Sequence, residues 1–104
     1  MSQTPLTVAC VAQSAKTALP NGLCDRFAEA VRFAAKRPVR AITEPENADL
    51  TLVVLQAGPQ AFSARIDTAQ GPGAPRAMSR RDAPLDDAAH DALLAGLVAK
   101  APLP

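Results

Sequence analysis

The sequence predicts an α+β fold: a two-layer α/β sandwich whose mixed sheet of 4–5 strands carries two helices on one face, in the order β-α-β-β-β-(β)-α. Three observations predict it. Between Asp49 and Asp67, two β-rich runs are broken by Ala57-Gly58-Pro59-Gln60, the outline of an antiparallel hairpin. Ahead of it, Leu23, Phe27, Ala30, Val31 and Ala34 recur at the spacing of one helical face. Behind it, Leu93, Leu94 and Leu97, with Ala89, form a second apolar stripe. A helix joining two strands allows them to be parallel through a right-handed crossover, whereas the later strands pair by hairpins.

Leu6 to Ala12 is the first strand, with Leu6, Val8, Cys10 and Ala12 on one face and Thr7, Ala9 and Val11 on the other. The polar connection from Gln13 ends in Pro20-Asn21-Gly22, a helix-start signal with Asn21 as N-cap. The helix then runs from Leu23 to Lys36; Arg32, Lys36 and Arg37 suit its negative C-terminal pole, and Pro38 stops it. Val39 to Thr43 is a short strand, followed by a charged turn through Glu44-Pro45-Glu46-Asn47. The first run of the hairpin is apolar on both sides and should lie deep. The second alternates, with Phe62, Ala64 and Ile66 facing one way and Ser63, Arg65 and Asp67 the other. Gly71-Pro72-Gly73 reads as a hairpin loop, and Arg76 to Ser79 as a marginal edge strand. Pro84 precedes the last helix, Asp86 to Lys100, acidic at its start and basic at its end; Gly96 within it suits close packing on the sheet.

At 104 residues the chain is expected to be a single domain, 1–104, with one core. Only Phe27, Phe33 and Phe62 are aromatic, so the core is built from aliphatic side chains and alanine, and modest stability follows. A net charge of +1 and a charged fraction of 20% argue against both disorder and a polyanionic partner. Without aromatics interleaved among basic residues, no nucleic-acid platform is expected. No apolar run approaches the ~20 residues of a membrane span. Leu6 to Cys10 has the outline of a lipoprotein cleavage site but lacks a charged and apolar leader, so it reads as a strand, and any signal peptide is expected to be absent from this chain.

Cys10 falls on the first strand and Cys24 in the first turn of the helix after it. A bridge between them would imply an oxidising compartment. Two buried free thiols are the alternative, and a Cys24 thiolate favoured by the helix N-terminus is a third.

Groups for catalysis are scarce. His90, the sole histidine, is brought near Asp86 and Asp87 by helical spacing, but nothing local ties it to a nucleophile, and an exposed Asp86–His90 pair is the plainer reading. Two cysteines and one histidine without finger-like spacing predict no metal site, and the glycines around Pro72 lack the Lys-Ser/Thr of a phosphate loop; no cofactor is expected. Binding fits the sheet better. If Leu50, Leu52 and Val54 face the helices, then Thr51, Val53 and Leu55 face away, exposed unless a terminus or the Gly71 to Arg81 segment covers them. Arg76, Arg80 and Arg81, with Arg65, make a candidate basic edge that could meet an anionic group or an acidic partner, though charge protecting an edge strand is the ordinary explanation.

The helix Leu23 to Lys36, the phrase Asn47-Ala48-Asp49-Leu50-Thr51-Leu52-Val53-Val54, the strand Phe62 to Asp67 and the closing helix together resemble the α/β domain at the N-terminus of the translocation protein TolB and in curli-secretion lipoproteins. The chain departs from the former in lacking a β-propeller. The resemblance implies a bacterial envelope protein that binds other proteins, and it transfers no functional residue. Two functions stand against each other. One is a non-enzymatic, periplasmic interaction or accessory domain that meets another protein, or itself, through the sheet face or edge. The other is a small cytoplasmic enzyme or thiol-redox protein using Cys24 or His90.

Overall fold

A computed structural model of the chain describes residues 4–14, 19 and 22–101. Its elements are β1 (Leu6–Ala12), α1 (Leu23–Ala35), β2 (Val39–Ala41), a 3-10 turn (Pro45–Asn47), β3 (Leu50–Ala57), β4 (Ala61–Thr68), β5 (Gly71–Pro72), β6 (Arg76–Ser79) and α2 (Asp87–Lys100). The sheet order is β2-β1-β3-β4-β5, with β6 also on β4. β1 pairs in parallel with β2 and β3, and the remaining pairs are antiparallel. This is the predicted α+β arrangement of a mixed sheet and two helices.

The sheet has six strands rather than 4–5 because its last row is split. β5 borders Asp67 and Thr68, while β6 borders Ala61 to Ala64. Between the two pieces, the Gly73 N–H donates to the Ile66 carbonyl at 2.9 Å, and a Cβ on Gly73 would come within 2.5 Å of that same oxygen. Only glycine passes so close. The hairpin turn is therefore Ala69-Gln70, and Gly71-Pro72 belongs to the returning strand rather than to the loop.

α1 starts after Gly22, whose φ of 74° suits glycine. Asn21, the expected N-cap, lies outside the described residues. The helix ends one residue early, at Ala35, because Lys36 takes φ 55° and donates its N–H to the Arg32 carbonyl at 2.9 Å. Its apolar stripe, Leu23, Phe27 and Val31, meets Leu93, Leu94, Leu97 and Val98 of α2. Beneath them lie Leu6, Val8, Leu50, Leu52, Val54, Phe62, Ala64 and Ile66 from one face of the sheet. Phe27 and Phe62 are fully buried, but the third aromatic, Phe33, does not join the core.

Register in the parallel half is set by a clamp. The Asp49 carboxylate accepts from the Thr7 N–H at 2.9 Å and from the Thr7 hydroxyl at 3.1 Å, just before the Val8–Leu50 pairing begins. In the antiparallel half, β3 carries a bulge between Val54 and Gln56. Leu55 is the extra residue, so Val54 and Ala57 both reach the helix side although they are three positions apart.

Thr51 and Val53 on the back of the sheet are buried, which corrects the expectation that they form an exposed strip. Thr51 is 8% exposed, Val53 6%, and Leu55 is half-buried. Because β2 and β3 flank β1, the chain between them must cross β1, and it does so through the 3-10 turn. The Thr7 hydroxyl donates to the Asn47 carbonyl at 3.2 Å, and the Thr51 hydroxyl lies 3.5 Å from the Pro45 carbonyl oxygen. On the other side of β3, Arg65 and Asp67 stand beside Val53 and Thr51 and pair through Nε–Oδ1 at 2.8 Å.

Candidate functional site

α1 and α2 lie side by side on the sheet, and their outer surfaces enclose a groove of ≈ 840 Å³. Ala30, Phe33 and Ala34 wall it from α1, and Ala95, Val98 and Ala99 from α2. Small side chains leave room between two helices, whereas a helical position off the buried stripe ordinarily carries a polar residue. Phe33 breaks that rule: its side chain is 87% exposed. At one end of the groove Arg26 joins the helices, with Asp87 at 2.7 Å and Asp91 at 3.1 Å. The hydrogen bond to Asp91, with Asp87 alongside, pushes the Arg26 guanidinium further up from its ordinary pKa. Beyond Arg26, Asp25 and Glu29 continue the acidic end, and Lys36 closes the far end.

The residues expected to form a binding surface are dispersed. Arg65 sits on the back of the sheet, held by Asp67. Arg76, paired across from the buried Ala64, lies on the opposite side, with its guanidinium over Gly96 of α2. Gly96 thus makes room for an arginine of the edge strand. Arg80 approaches Asp86 at 3.7 Å, and the carbonyl of Arg81 accepts from Gln60 Nε2 at 3.3 Å. Sequence reading treats Phe33 only as one of three aromatics, and the structure leaves it outside the core. The signal was available: a large apolar side chain on α1 outside the Leu23, Phe27, Val31 stripe.

His90 serves packing. Its ring centroid is 5.0 Å from that of Phe62. The Asp86 carboxylate is occupied as the N-cap of α2, accepting from the Ala89 N–H at 2.9 Å. That bond holds its carboxyl below the usual range; partial burial opposes the shift, and Arg80 adds to it. Since the folded carboxyl is the stronger acid, its stabilisation is complete above the unfolded carboxylate's pKa and is lost as pH falls through the lower folded value. Asn caps without titrating. Melting curves of the wild type and Asp86→Asn will therefore run close at neutral pH and separate in acid, where the wild type melts lower; parallel curves down to acid would contradict the cap.

Cys10 and Cys24 are joined by a disulfide, with Cα atoms 5.7 Å apart. It fastens the first turn of α1 to β1. Among the described residues no group of three or more His, Cys, Asp or Glu is placed to hold a metal ion, and no helix is long and apolar enough to cross a membrane.

No family model matches the chain, and no curated protein matches it. Neither the TolB domain nor the curli-secretion lipoproteins are thus supported as its family. Among solved structures the chain is similar to PelC, in a dodecamer from Paraburkholderia phytofirmans, at 13% sequence identity and a TM-score of 0.42, over 92% of this chain and 84% of that one. So distant a likeness assigns no function.

Proposed function

We propose that this protein is a non-enzymatic interaction domain of the bacterial envelope, and that it docks a protein partner on its helical face through Phe33. The observation that carries the reading is that exposed phenyl ring at the wall of an alanine-lined groove. Leaving it in water forfeits roughly 2 kcal/mol of apolar burial, and a partner that covers it recovers this. Aromatic residues are enriched at protein interfaces, where a few such anchors carry most of the binding energy. The compartment is supported by the Cys10–Cys24 bridge, since structural disulfides persist where the surroundings are oxidising.

A photo-reactive amino acid placed at position 33 in cells of the native host tests the docking face, with position 70, exposed at the β4–β5 turn, as control. The expected result is a protein adduct from position 33 and none from position 70. No adduct from either, or equal adducts from both, removes the reading. Acid-quenched alkylation of the same cells checks the compartment: both thiols should be blocked, and free thiols would rule the envelope out.

A further inference from the structure

We infer that the partner on the helical face is a second copy of this chain, packed in antiparallel fashion about a two-fold axis near Ala30. This rests on the docking face proposed above and names its occupant. The outward stripe of α1 carries Asp25, Glu29 and Phe33 at the i, i+4, i+8 spacing of a single helix face, and Lys36, the left-handed cap, follows at its C-terminal end. Acid stands at one end, base at the other, and the aromatic residue between. Among the described residues neither Asp25 nor Lys36 has an ion-pair partner, and both are exposed.

Such a stripe complements itself only when reversed. Asp25 and Lys36 are about 16 Å apart along the helix at 1.5 Å per residue, with their midpoint beside Ala30. A two-fold axis there sets Asp25 of each copy against Lys36 of the other, and lays each Phe33 on the Ala30 and Arg26 stem of its neighbour. A parallel copy would set acid against acid. An isologous contact of this kind closes after two copies, because one patch serves both sides. The alanines along the groove allow the helices to approach closely, at the short end of the usual 8–10 Å. A stable pair needs about 800 Å² from each copy, roughly an eighth of the 6461 Å² that the chain exposes, which two adjoining helices can present.

Sedimentation equilibrium over a wide range of protein concentration, at low and high salt, tests the arrangement. The wild type should move from monomer to dimer mass as concentration rises, and less readily at high salt. Phe33→Ala touches no core contact and should weaken the dimer at least tenfold with unchanged circular dichroism. Asp25→Lys sets like charges together and should leave monomer, whereas Asp25→Lys with Lys36→Asp restores the opposition and should recover the dimer. A monomer at every concentration overturns the second copy as occupant, and so does a dimer indifferent to Phe33→Ala and Asp25→Lys. If the wild type stays monomeric while position 33 still cross-links a different protein in cells, self-association alone fails. If both measurements are blank, the docking face fails with it.

Discussion

Phe62→Ala will lower the unfolding free energy by about 3–5 kcal/mol, a large share of the ~5–15 kcal/mol that a chain of this size possesses. Phe62 is 1% exposed and lies at the meeting of β4, β6 and α2: it pairs across from Met78, and its ring packs against that of His90. The core around it is close-packed and cannot collapse into the space of a phenyl ring, so the cavity stays largely open. Urea denaturation should show the midpoint falling sharply with the slope retained. Phe33→Ala, removing the same ring from solvent, should stay within about 0.5 kcal/mol in dilute solution. Equal losses for the two substitutions would contradict the burial on which the fold stands.

Reducing the Cys10–Cys24 bridge, or replacing both residues by serine, should cost about 3 kcal/mol. The sequence separation is 14, and closing a loop of that length removes about this much chain entropy from the unfolded state. For a domain of this size the melting temperature would drop by roughly 12 °C or more. The bridge fastens the start of α1 to β1 on the core side, so its loss also frees the Gly22 end of the helix, where no side chain caps the backbone among the described residues. Thermal melts with and without reductant read the effect directly. Identical melts would mean that the Leu23 and Phe27 packing alone holds this corner.

The elements were legible in the sequence because each is written in local periodicity. The alternation of Phe62, Ala64 and Ile66 fixed the face of β4, and the Leu23, Phe27, Val31 stripe fixed that of α1. Position in the sheet is not a local property. β1 lies between β2 and β3, so the crossing segment Pro45–Asn47 comes to lie against Thr51; a reading by runs and turns could not place that contact. The Leu55 bulge was hidden for a related reason: Leu52 to Leu55 is an unbroken apolar run, so there is no alternation whose change of phase could be read. The site divides in the same way. An aromatic residue off the α1 stripe is visible in one dimension, but the groove needs Ala95, Val98 and Ala99 beside it, and only packing brings α2 there.

The central place of β1 also bears on the order in which the chain can assemble as it emerges from a ribosome or a translocation channel. The first strand to appear has both of its pairing partners far behind it: Val39 for one edge and Leu50 for the other. Its backbone cannot be satisfied until half the chain has followed, at about 5–20 residues per second during synthesis. Cys24 arrives well before either partner. An oxidant acting at that moment would tether the waiting strand to its nascent helix, leaving a short preassembled corner onto which the later strands can close.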